Sequence, residues 1–150
     1  MSDRQSMPAH VLVREATSGD AAALGHLVGE LGYPAPTTEM PSRLQALEGS
    51  SHAVVLVAEL AGEVVGLATA HVFATIHSAT PAAWLTALVV SETARGGGAG
   101  RALVVRAEEW ARSMGAVRIA VTSGARRADA HRFYERIGYA RTGVRFGKPL

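Results

Sequence analysis

The chain has 150 residues, 48% hydrophobic and 19% charged, which suits one folded domain with its own core and excludes a disordered segment. It has no cysteine, which excludes disulfides, thiolate metal sites and a cysteine nucleophile and agrees with a cytoplasmic location. The net charge of +2 is unevenly spread: residues 1–94 hold three Arg and nine Asp or Glu, and residues 95–150 hold eleven Arg, one Lys and four Asp or Glu.

That split suggests a C-terminal part that holds a polyanionic ligand and an N-terminal part that meets a cationic one. Nucleic acid is disfavoured, because the arginines are not interleaved with aromatics and only 5% of residues are aromatic. No apolar run reaches the about 18 residues needed to span a membrane. Met1 to His10 is polar, is expected to be flexible and lacks an apolar signal core, which argues against secretion; with no linker long enough to split it, the chain is expected to be a single domain over 1–150.

Val11-Leu12-Val13 reads as a short strand. Asp20 is placed to cap a helix from Ala21 to Leu31, with Leu24, Leu27, Val28 and Leu31 on one face and Gly32 stopping it. Pro34 and Pro36 bracket a rigid loop. Thr38 is placed to cap a second helix carrying Met40, Leu44 and Leu47, with Pro41 tolerated in its first turn. Ala53–Leu60 and Glu63–Ala74 read as a hairpin around the two-residue turn Ala61-Gly62. A loop from Thr75 to Pro81 carries His77. Trp84–Val90 is almost continuously apolar, which predicts a strand buried on both faces.

Gly98–Met114 follows as a helix, with Leu103, Val104, Ala107, Trp110, Ala111 and Met114 at helical spacing and Gly115 ending it. Val117–Thr122 reads as a strand. Polar residues Ser123 to Arg127 then lead to Asp129, a cap for a helix Ala130–Ile137 that ends at Gly138. Tyr139–Phe146 reads as a last strand. The order β-α-α-β-β-β-α-β-α-β implies an α/β mixed sheet with helices on both faces.

Arg95-Gly96-Gly97-Gly98-Ala99-Gly100-Arg101 stands between the apolar strand and the long helix. A glycine-rich turn opening a helix presents unpaired N–H groups at the positive end of the helix dipole, a site for phosphate. A nucleotide P-loop needs a lysine after the glycines, and none follows. The dinucleotide fingerprint also fails, since its third glycine falls on Leu103 or Arg101.

Arg95, Gly98 and Gly100 fill the pattern Gln/Arg-x-x-Gly-x-Gly/Ala, and Phe133-Tyr134-Glu135-Arg136-Ile137-Gly138-Tyr139 fills Phe/Leu-Tyr-Glu-x-x-Gly-Phe/Tyr. In these two blocks the chain resembles the GNAT-type N-acetyltransferases, and the element order resembles theirs from Val11 to Phe146. The resemblance implies a mostly antiparallel sheet whose fourth strand is bulged and splays from the fifth. It implies acetyl-CoA as co-substrate and no metal. Leu88-Val89-Val90 would pair with the pantetheine arm, and Arg95, Gly96, Gly97, Gly98, Ala99, Gly100 and Arg101 would surround the pyrophosphate. Tyr134 would protonate the departing sulfur, although its helical spacing with Ala130, Phe133 and Ile137 also fits a core aromatic.

Two positions depart from the family pattern. Relatives often carry Asn seven residues before the tyrosine; here Arg127 stands there, either facing a CoA phosphate or as a solvated loop charge. Relatives often carry a glutamate or histidine as general base on the fourth strand, where this chain has Trp84 and Thr86, leaving His71, His77, Glu92 or a water chain for the amine proton. The expected acceptor is a small amine, with Glu30, Glu39 and Glu48 favouring a cationic one. The missing base also motivates an alternative, a non-catalytic acyl-CoA-binding or sensing module. Family habit implies a homodimer through the last strand or an edge helix.

Overall fold

The backbone forms β1 (Val11–Glu15), α1 (Ala21–Leu31), α2 (Met40–Glu48), β2 (Ala53–Leu60), β3 (Glu63–Phe73), β4 (Ala82–Val90), α3 (Ala99–Ser113), β5 (Ile119–Val121) and α4 (Ala128–Arg136). This computed structural model describes residues 10–34, 36–122 and 128–150. The strands lie in sequence order in one sheet; β1 to β4 are antiparallel and β5 joins β4 in parallel. No helix among the described residues is long and apolar enough to cross a membrane.

The hairpin turn forms as its residues dictate. Ala61 and Gly62 have φ of 52° and 82°, the left-handed pair of a type I′ turn whose twist matches the strands, and Leu60 faces Glu63 across it. The alternating strands bury both sheet faces. Leu24, Leu27, Met40 and Leu44 of α1 and α2 pack on Val55, Val57, Leu67 and Val89. Leu103, Val104 and Ala107 of α3 pack on Val54, Leu56, Ala58, Ala68, Ala70 and Leu85, and Phe133, Tyr134 and Ile137 close over that cluster. Leu103 is fully buried, so its loss to Ala costs about 2–5 kcal/mol.

Several elements differ from the sequence expectation for local reasons. Asp20 does not cap α1 with its side chain. Its carboxylate is taken by the Thr17 amide at 2.8 Å and by Arg14, which also reaches Glu59, so it ties β1 to β2 and the turn before α1. Burial opposes the charge, but the Arg14 hydrogen bond outweighs it and holds the Asp20 carboxyl below the ordinary range. Thr38 lies inside a 3-10 turn, Thr37–Glu39, and α2 starts at Met40 with Pro41 in its first turn. Asp129 stands within the first turn of α4, paired with Arg132, because that helix begins at Ala128.

The expected last strand is absent from the sheet. Residues 140–150 are exposed and have no strand pairing; Val144 and Phe146 are 83% and 91% exposed. A strand there needs a partner edge, but β5 offers only Ile119–Val121, and Gly143 and Gly147 weaken the segment. The fully buried β4 is corrected as well: Thr86 is exposed and Trp84 half-buried, because α1 and α2 do not cover that part of their face.

Candidate active site

β4 changes character at its middle. Ala70 pairs with Leu85 and Thr69 with Ala87, so Thr86 is an extra residue opposite no partner. The bulge reverses the alternation: Leu85 points into the α3 core, yet Leu88 and Val90 do so as well, while Val89 joins the α1–α2 core. Among the described residues β5 pairs with Ala83, Trp84 and Leu85 alone. From Ala87 to Val90, β4 pairs with β3 on one side, and among the described residues no strand pairs with its other edge. This is the splay that the family resemblance implies.

The edge leads into the glycine-rich turn. Gly96 and Gly98 have φ of 86° and 87°, which only glycine adopts readily, and a Cβ on either would meet nothing within 4 Å. Gly98 caps α3 by backbone alone. The first helical bond runs from the Ala102 amide to the Gly98 carbonyl at 3.0 Å, so the amides of Ala99, Gly100 and Arg101 precede the helical ladder. Ala99 is buried and anchors the turn. Gly100 allows the two sequence blocks to touch: a Cβ there would lie 3.4 Å from Phe133 and 3.6 Å from Val90. At Gly97 a Cβ would crowd the Ala94 carbonyl at 3.4 Å.

The arginines divide. Arg95 Nε donates to the Val90 carbonyl at 3.3 Å and so braces the end of β4. Arg101 is exposed beside Gly98 on a groove of about 450 Å³ floored by Val11, Val13 and Val105. Arg127 lies outside the described residues.

Tyr134 is half-buried against the α3 core. Its ring stands edge-on to Phe133 at 5.4 Å and to Tyr139 at 5.9 Å. Tyr139 in turn donates its hydroxyl to Glu108 of α3 at 3.0 Å. Burial first, then the Glu108 charge and hydrogen bond, pushes the Tyr139 phenol well above its usual range, so it stays a donor. This tie has a single sequence signal: a tyrosine at the motif's Phe/Tyr position brings a hydroxyl that needs a partner when buried.

No side-chain base stands on β4. The Thr86 hydroxyl donates to the Thr69 carbonyl at 3.2 Å and lies 2.7 Å from the Thr69 hydroxyl. His71 is half-buried on β3, in register with Trp84. His77 is exposed in the loop before β4. Glu92 is exposed in a 3-10 turn after β4, and its amide donates to Glu30 at 3.4 Å. These three groups are thus spread over three elements rather than gathered at the bulge.

The acetyltransferase (GNAT) family profile matches residues 22–139. The chain belongs to the GNAT family. It is 40% identical over 89 residues to an aminoalkylphosphonate N-acetyltransferase of Salmonella typhimurium, a stretch covering 59% of this chain and 58% of that relative. The chain thus spans little more than half the length of this curated relative. A putative acetyltransferase from Agrobacterium tumefaciens superposes with a TM-score of 0.84 at 26% identity, covering 93% of this chain and 99% of the other. An aminoglycoside N-acetyltransferase solved in complex with CoA superposes with a TM-score of 0.85 at 15% identity, covering 97% of each chain, which speaks for the fold.

Proposed function

We propose that this protein transfers an acetyl group from acetyl-CoA to the amine of a small molecule, by direct attack with both substrates bound. The observation that carries this reading is the edge of β4 that, among the described residues, no strand pairs, running from the Thr86 bulge to the first amides of α3. It presents extended backbone for an amide-bearing arm and, at its end, donors and dipole for a pyrophosphate. Membership of the GNAT family and a fold shared with a CoA-bound acetyltransferase support the same assignment.

In this reading Leu88, Val89 and Val90 hold the pantetheine arm by their backbone, and residues 96–101 hold the pyrophosphate. A backbone N–H near Leu88 or Val90 donates to the thioester oxygen as it gains negative charge. The neutral amine attacks the carbonyl carbon, a C–N bond forms, and the C–S bond breaks. Tyr134 gives its proton to the departing sulfur and regains one from solvent. With Thr86 engaged by Thr69, the amine loses its proton to water. Holding the reactants together supplies much of the acceleration.

The test supplies acetyl-CoA with a panel of small amines, follows free thiol and measures CoA binding by calorimetry. Thiol release matched by acetylated amine is the expected result. CoA binding without release across the panel instead marks a sensing module, and failure to bind CoA contradicts both readings.

A further inference from the structure

The sheet face that carries α1 and α2 has an uncovered end. The two helices pack on Val55, Val57, Leu67 and Val89. Thr69, His71 and Trp84 lie farther along the same face, because their neighbours Ala68, Ala70, Ala83 and Leu85 point into the cores on the α3 side. The Thr86 hydroxyl reaches Thr69 on this face, and His71 pairs in register with Trp84. Arg145, from the exposed C-terminal segment, places its guanidinium carbon 5.8 Å from the centre of the Trp84 ring.

The stretches of chain that build this patch carry no acidic residue. Between Glu63 and Glu92 the sequence has no Asp or Glu, and the C-terminal segment 140–150 that brings Arg145 holds Arg141, Arg145 and Lys148 with no acidic side chain. The acidic groups expected to attract a cation are engaged elsewhere or scattered. Glu39 pairs with Arg43 within its own segment, Glu30 accepts from the Glu92 amide and lies 3.8 Å from His26, and Glu48 is exposed at the end of α2. Arg141 is paired with Glu135, whereas Arg145 has no carboxylate partner among the described residues.

We propose that Arg145, stacked on Trp84 beside His71, binds an anionic group on the acceptor, so that the acceptor is a short zwitterion carrying an amine and a phosphonate, phosphate or carboxylate. A guanidinium over a ring keeps its in-plane N–H donors free for two oxygens at once, and the ring limits how far it swings. The His71 ring supplies a second donor. Thr86 is two residues from Trp84, about 7 Å along the strand, so an acceptor held at Arg145 reaches the bulge with its amine through a short alkyl spacer. This inference rests on the acetyl-transfer reading and names the substrate class of that same site.

The experiment measures steady-state acetylation of 2-aminoethylphosphonate, β-alanine and 1,2-diaminoethane, which share a two-carbon spacer. The zwitterions are expected to exceed the diamine in kcat/KM by about tenfold or more. The phosphonate and carboxylate arms identify which anion is read. Arg145→Gln is expected to raise KM for the preferred zwitterion by about tenfold while leaving its kcat and the acetyl-CoA KM in place, and Arg145→Lys to recover part of the loss. Preference for the diamine, or an unchanged zwitterion KM in Arg145→Gln, overturns the inference alone. Absence of thiol release with every amine overturns the acetyl-transfer reading and the inference with it.

Discussion

The two ends of β4 are built from different materials. Its C-terminal half and the turn beyond it use backbone: a strand edge unpaired among the described residues, two glycines at positive φ and the first amides of α3. Its N-terminal half uses side chains brought from distant places: His71 from β3, Trp84 from β4 and Arg145 from the C-terminal segment. A site made of backbone recognises what is common to its ligands, in the proposed function an amide arm and a pyrophosphate. A site made of side chains recognises what distinguishes them. One scaffold can therefore keep its donor and vary its acceptor.

Substitutions at the two ends sharpen that division. Tyr134→Phe has the largest expected effect, since it removes the proton but keeps the ring contacts with Phe133 and Tyr139. Turnover should fall about 100-fold with CoA affinity nearly unchanged, as read by kcat and calorimetry. Equal turnover would remove Tyr134 as the acid. Gly98→Val combines left-handed strain with a side chain at the mouth of the amides and should raise the acetyl-CoA KM about thirtyfold, leaving the amine KM in place. A matching rise in the amine KM breaks the division.

A third substitution lies at neither end. Asp20→Asn removes the charge that Arg14 binds and should lower stability by about 1.5 kcal/mol at neutral pH without changing either KM. The Asp20 carboxyl is held low in the fold, so its stabilisation is present above the unfolded value of about 3.9 and is lost as pH falls through the lower folded value. Denaturant titrations of the two proteins should therefore converge below about pH 4. The smallest effect belongs to Tyr139→Phe, which loses the hydrogen bond to Glu108 and should cost about 1 kcal/mol in thermal unfolding.

The same division explains what the sequence reveals. Elements set by local chemistry appear where their residues place them: α1 from Ala21 to Leu31, β2 from Ala53 to Leu60 and the Ala61-Gly62 turn. The glycine-rich turn is equally local, a run of glycines that opens a helix. A strand at 139–146 depends instead on an edge to pair with, and the three residues of β5 do not supply one. The bulge at Thr86 depends on register against β3, which no residue pattern within β4 announces. Arg145 meets Trp84 across 61 positions of chain, and Tyr139 meets Glu108 across 31, so neither contact has a local signature.

The proposed direct transfer requires both substrates to be bound at once, and initial-rate kinetics of thiol release with acetyl-CoA and an accepted amine both varied tests this most directly. Reciprocal plots that intersect, with one thiol released per amine acetylated, are the predicted result. Parallel lines, the mark of an acetylated enzyme formed before the amine arrives, would contradict it.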